Sequence, residues 1–403
     1  MKYDFTCHLD RLGKDAIAVD SPAAKTGGFT GFERKEGFDI IPMWVADMNF
    51  PVVPSIQEAI TGRVAHPAFG YFSPRDEYYD GIIRWQNSRN GVEGLTKENI
   101  AYENGVLGGV ISAMNVLASK GDNVLVHSPT YIGFTMVLKN NGYNIVHSQM
   151  HKDENDIWRI DYEDMEKKIA ENNIHVAIMC SPHNPCGRVW TREELEKCIE
   201  IFEKHEVWII SDEIWSDLTL EGYKHIPTQS VNEYARTHTA AFYAPSKTFN
   251  LAGLIGSYRI VYNKWLNDRI TKESSLSHYN SMNVLSMYAL IGAYQEEGYE
   301  WLGELKQVLT ENVRWASDFV NTKLDGACVS TPQGTYMLFI DVKEYCEKNG
   351  ITLDELLKRG WEYGVFWQSG ELFNTPYAIR MNLALPLDRV QEAFGRLEKY
   401  VFL

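Results

Sequence analysis

The sequence predicts an α/β protein: a large domain with a mostly parallel, mixed sheet wrapped by helices, plus a smaller α+β domain. Three observations carry this. Short apolar runs alternate with longer amphipathic ones through the middle of the chain, the pattern of strands joined by helical crossovers. From about Ser286 onward long helical stretches take over. The 403 residues, 44% apolar and 23% charged, are enough for a sizeable core divided between two domains.

Taken in order, an irregular segment rich in Gly and Lys (Lys25 to Gly37) comes first. Next, "ENGVLGGVISAMNVLAS" places a glycine-rich turn ahead of a helix whose Val110, Ile111, Met114 and Leu117 share a face. Strand-like runs come next, at 122–127, 143–148, 176–180, 207–211, 239–243 and 257–262. Between two of them, "TREELEKCIEIFEKH" aligns Leu195, Cys198, Ile199 and Phe202, and Thr191 with Glu194 forms a capping box. Helices over 287–325, 353–363 and 387–401 then flank "GTYMLFIDV" and "AIRMNLAL". No internal repeat or low-complexity tract interrupts this order.

Composition narrows the function. A net charge of -15 argues against nucleic-acid binding, which needs a basic footprint to displace counterions. The opening "MKYDFTCHLD" lacks the apolar core of a secretory signal, and no apolar run is long enough to span a bilayer. Six scattered cysteines without a C-x-x-C pair read as reduced thiols of a cytoplasmic enzyme. His147 and His151 form an H-x-x-x-H without the glutamate of a zinc protease, so no metal site is expected.

In an open α/β sheet, ligands bind beyond the carboxyl ends of the strands. The residues immediately after each strand-like run are therefore the first candidates for a site. "SPTY" delivers Tyr131, "SPHNPCG" delivers Asn184, "DEIW" opens on Asp212, and "APSK" delivers Ser246 and Lys247. The turn at Gly105, Val106 and Leu107 adds a helix start suited to an anion. Each has an ordinary alternative. Asp212 can cap a helix, Asn184 can serve a turn, Tyr131 can be half-buried packing, and a lysine in a turn is usually solvated. One ligand uses all five features. Pyridoxal phosphate offers an aldehyde to a lysine, a ring nitrogen to a carboxylate, a phenolic oxygen to an amide, a flat ring to an aromatic and a phosphate to a helix start.

"SDEIW", "SPHNPCG" and "SKTFNLAGL" resemble the motifs of fold-type-I, aspartate-aminotransferase-like pyridoxal-phosphate enzymes. With "IPMWVADMNF", "FGYF" and "RMNLALP" the chain is similar to their carbon–sulfur β-lyase branch, the cystathionine β-lyases of the maltose-regulon-modulator type. The resemblance runs from about Pro42 to Pro386. It implies that Lys247 forms the Schiff base, Asp212 pairs with the ring nitrogen, Asn184 donates to the ring oxygen and Tyr131 stacks on the ring. Gly105, Val106, Leu107 and Ser246 would hold the phosphate, joined by Tyr71 from the neighbouring subunit of a homodimer. Arg380 would take the substrate carboxylate through a bidentate fork, with Trp44 and Tyr336 nearby. The expected large domain is 50–286, and 1–49 with 287–403 form the small one.

Four positions depart from the family pattern: Asn49 for Asp, Trp215 for His, Ala244 for Ser, and Glu103 in the "ENGVL" turn, where it brings a carboxylate near the phosphate cradle. The expected reaction is β-elimination on a sulfur-bearing amino acid. Transamination uses the same residues, and a regulatory binding protein with this fold is a third reading.

Overall fold

The computed structural model describes residues 1–276 and 280–403. Among them, seven strands form one sheet: β1 (Ile100–Glu103), β2 (Asn123–Ser128), β3 (Asn144–Gln149), β4 (Val176–Cys180), β5 (Trp208–Asp212), β6 (Thr239–Tyr243) and β7 (Ser257–Ile260). Their order is β1-β7-β6-β5-β4-β2-β3. The ladders from β3 through β6 are parallel, whereas β7 runs antiparallel to both β6 and β1. Every residue of β4 and of β6 is buried, as continuous apolar strands require when helices cover both faces.

Helix α1 (Val106–Leu117) comes directly after β1 and buries Val106, Val110, Ala113 and Met114. The expected face is thus rotated: Ile111 and Leu117 are only half-buried, because α1 lies between the sheet and the helix Lys264–Ser275. Helix α2 (Arg192–Lys204) starts at the capping box read from the sequence. Glu194 N–H donates to Thr191 Oγ1 at 3.2 Å, and Thr191 N–H donates to the Glu194 carboxylate at 2.9 Å. Its Leu195, Cys198, Ile199 and Phe202 are all buried.

Beyond residue 284 the helical stretch expected as one piece is two, Val284–Ala293 and α3 (Glu296–Lys323). Gly298 makes the break possible. A Cβ there would stand 1.8 Å from the Ala293 carbonyl oxygen, so the helices meet this closely only without a side chain. After α3 comes an antiparallel sheet of β8 (Cys328–Val329), β9 (Met337–Asp341), β10 (Gln368–Ser369) and β11 (Ala378–Asn382), in the order β8-β9-β11-β10. Helices α4 (Leu353–Glu362) and α5 (Leu387–Tyr400) complete this part. The N-terminal segment joins it where Ile41–Pro42 pairs in parallel with Val365–Phe366.

Candidate active site

The carboxyl ends of β2, β4, β5 and β6, with the turn after β1, enclose a cavity of about 310 Å³. Gly105, Val106, Leu107, Tyr131, Asn184, Asp212, Ser246 and Lys247 all line it. Gly105 caps α1 with φ at 83°, a conformation that favours glycine. The first N–H groups of a helix have no intrahelical acceptor and carry the positive end of its dipole, which suits this corner to an anion. Ser246 and Lys247 sit in the short turn of helix Pro245–Thr248, directly after β6.

Burial sets the charges. The Lys247 amine is pushed down to about 8, first by desolvation and then by Arg380, while Asp47 and Asp212 oppose the shift. Desolvation pushes the Asp212 carboxyl up to about 7, against the Ile214 N–H it accepts at 3.0 Å and the nearby Lys247. Among the described residues no cation is bonded to Asp212. Arg380, on β11, is buried and lowered to about 10 by desolvation. It donates Nη1 to Asn184 Oδ1 at 3.3 Å and Nη2 to the Trp44 carbonyl at 3.0 Å, and its guanidinium lies 4.6 Å from the Phe373 ring centroid.

Lys247 Nζ donates to the Ala46 carbonyl at 2.9 Å, an oxygen that also accepts the Tyr336 hydroxyl at 3.1 Å. The surrounding segment is anchored at each step. Asn382 Nδ2 donates to the carbonyls of Val45 and Asp47, at 2.7 and 2.5 Å, and Asn250 Nδ2 donates to that of Met48 at 2.9 Å. Sequence reasoning missed Ala46, Asn250 and Asn382. Ala46 acts through its carbonyl, so its side chain carries no signal. The two asparagines did carry one, as lone amides inside "SKTFNLAGL" and "RMNLALP".

The other candidates are placed differently. Trp44 turns its ring away from the cavity, donating Nε1 to the Ala18 carbonyl at 3.0 Å and packing edge-on against Phe29. Tyr336 is buried behind the cavity, its ring 4.8 Å from Trp215. Tyr71 is fully exposed and does not line its own chain's cavity. Glu103 corrects an expectation: its side chain is wholly buried and paired with Arg259 of β7, outside the cavity lining. Asn49 accepts from Arg11 Nη1 at 2.9 Å, beside an Arg11–Asp47 ion pair of 2.6 Å. Ala244 and Trp215 line the cavity itself.

These residues fit pyridoxal phosphate. A buried carboxylate without a cation is costly, and a protonated ring nitrogen is the partner that Asp212 lacks. The Arg380 contact occupies Asn184 Oδ1, leaving its Nδ2 hydrogens to donate toward the cavity.

The class I and II aminotransferase family model matches residues 39–397. The chain is 32% identical to cystathionine beta-lyase PatB of Bacillus subtilis, covering 98% of this chain and 99% of that protein. The solved structure of the PLP-bound C-S lyase from Staphylococcus hominis superposes with a TM-score of 0.88 at 29% identity, covering 100% of this chain and 99% of that one. Cystalysin from Treponema denticola, which contains a pyridoxal 5'-phosphate cofactor, superposes with a TM-score of 0.90 at 29% identity, covering 99% and 98%. The chain belongs to the class I and II aminotransferase family, and its cofactor is pyridoxal phosphate.

Proposed function

We propose that this protein is a pyridoxal-phosphate-dependent carbon–sulfur β-lyase that cleaves cystathionine or a related S-substituted cysteine to a thiol, pyruvate and ammonia. The carrying observation is a desolvated Lys247 amine in one cavity with Asp212, Asn184 and Tyr131. The names borne by PatB and the Staphylococcus enzyme favour sulfur substrates. In this reading residues 50–286 carry the cofactor, and 1–49 with 287–403 supply Arg380.

When bound, the cofactor supplies an aldehyde for the substrate amine and a ring that accepts the electrons released at Cα. Lys247, held at the Ala46 carbonyl, takes the Cα proton, and a value near 8 suits a base at neutral pH. Asp212 would pair with the ring nitrogen and favour its protonated form. Arg380 orients the substrate carboxylate, and its own position is fixed by Asn184 and Trp44. Asn184 and Tyr131 would hold the ring, and the start of α1 with Ser246 would hold the phosphate. A thiolate leaves Cβ far more readily than hydroxide does, which is why sulfur substrates suit this site. We further propose a cytoplasmic homodimer in which Tyr71 serves the partner's phosphate site.

The test is a panel of S-substituted cysteines assayed for thiol and pyruvate, with and without a 2-oxo acid. Equal amounts of thiol and pyruvate without the 2-oxo acid are expected. Turnover only when a 2-oxo acid is present would make the protein an aminotransferase instead.

A further inference from the structure

The segment that brings the Ala46 carbonyl to Lys247 is tied down by several side chains, and one of the ties is a charge. Asn382 holds the carbonyls of Val45 and Asp47, and Asn250 clamps Met48 at both its N–H and its carbonyl, each at 2.9 Å. The remaining tie is Arg11. Its guanidinium forks onto the Asp47 carboxylate, Nη2 to Oδ2 at 2.6 Å and Nη1 to Oδ1 at 3.1 Å. Nη1 also donates to the Met48 carbonyl at 3.3 Å and to Asn49 Oδ1 at 2.9 Å. The paired side chains are only 13% and 17% exposed, so solvent screens the fork little.

Asp47 directly follows Ala46, which sets its carboxylate beside the lysine's own acceptor. Desolvation and Arg380 push the Lys247 amine down, while Asp47 and Asp212 act against them. The hydroxyl of Tyr336 shares the Ala46 carbonyl, and Tyr131 lines the same cavity. Asp47 stands outside the cavity lining, and among the described residues its ion-pair partner is Arg11. Asn49 decides how much of that partner it receives. Asn49 is buried and accepts from Arg11 as a neutral amide, and its Nδ2 has no hydrogen-bond partner among the described residues. A carboxylate of the same shape at position 49 would divide the guanidinium between two acids. The amide leaves its charge to Asp47.

We propose that Arg11 is a positioning residue for Lys247: through Asp47 it fixes the Ala46 carbonyl at the amine, and it keeps the Asp47 charge from holding that amine as a cation. The assignment rests on the reading of Lys247 as the residue that attaches the cofactor. An opposite charge nearby favours the charged form of a lysine, and the charged form cannot attack an aldehyde. With Arg11 on Asp47, the neutral amine is available at a lower pH.

The experiment strips the full-length enzyme of its cofactor and follows the return of visible absorbance on addition of pyridoxal phosphate across a range of pH. In the parent the rate should level at about 8. Arg11→Gln keeps hydrogen-bond donors but loses the charge, and should move the levelling point up by about one pH unit. Asn49→Asp keeps the acceptor for Arg11 and replaces only an unpaired Nδ2, and it should move the point in the same direction. Asp47→Asn should move it down, and combining Asp47→Asn with Arg11→Gln should return it close to the parent's. A pair that served shape alone would shift Arg11→Gln and Asp47→Asn the same way or not at all, and either result would overturn the proposal. If Arg11→Gln does not fold, Asn49→Asp decides alone, and an unmoved levelling point overturns the proposal. Absorbance reports attachment whatever reaction follows. Opposite shifts in the two single variants, with no pyruvate released by the parent, would therefore support the role of Arg11 and overturn the lyase reading alone.

Discussion

Desolvation acts on Asp212 and Lys247 in opposite directions, raising the carboxyl to about 7 and lowering the amine to about 8. For the lysine, the unfolded chain binds more protons between about 8 and the ordinary 10.5, so its burial cost is present below about 8 and disappears as pH rises through that window. The neutral amine is the form that attacks an aldehyde. Enzyme stripped of cofactor should therefore regain its visible absorbance on addition of pyridoxal phosphate at a rate that climbs with pH up to about 8 and then levels. A rate still climbing toward 10.5 would place Lys247 in water. Asp212→Asn should keep some cofactor yet lose turnover by about a hundredfold or more, since an amide cannot hold a proton on the ring nitrogen electrostatically. Near-normal turnover in that variant would remove Asp212 from the reaction. Both residues were legible in the sequence because each comes after an apolar run and differs chemically from its neighbours. The Ala46 carbonyl was not, since every residue has one and only the folded chain brings it to Lys247.

Elements were readable where one kind of burial governed them. The central parallel strands β4 and β6 are buried on both faces and appear as short apolar runs, and α2 carries both its cap and its stripe locally. Pairings between distant elements left no such trace. Glu103 ends β1 and Arg259 lies in β7, and only the antiparallel ladder between those strands brings the two charges together. Both side chains are fully buried, and Arg259 also donates Nε to Asn267 Oδ1 at 3.1 Å. Removing one partner strands the other charge in the interior, so Glu103→Ala should cost about 3–5 kcal/mol in urea unfolding. The double variant Glu103→Leu, Arg259→Met should recover most of that loss, because an apolar pair carries no desolvation penalty. If the single variant unfolds like the parent, the pair contributes no net stability.

At the scale of the whole molecule, Tyr71 has no counterpart in its own chain's cavity. Its relative exposure of 111%, beside Phe69 at 56% and Phe72 at 37%, leaves three exposed rings on one loop, Phe69 alone being covered in part by the Arg63 guanidinium. Exposed apolar rings clustered on one loop are a feature of interaction surfaces. If Tyr71 completes the partner's phosphate site, neither subunit is competent alone and the active form is a two-fold dimer with its sites at the interface. Two variants test this together. Lys247→Ala removes the amine from one subunit, and Tyr71→Phe removes the hydroxyl offered to the other. In a mixed dimer the Lys247→Ala subunit lends its intact Tyr71 to the neighbour that keeps Lys247, so one site is wild-type in composition. Provided Tyr71→Phe alone is impaired, co-refolded mixtures should exceed both parents in pyruvate release. Mixtures that give only the average of the parents would mean that Tyr71 acts within its own chain or not at all. Absorbance of the bound cofactor should obey the same rule, since the phosphate contact would be restored at the same composite site.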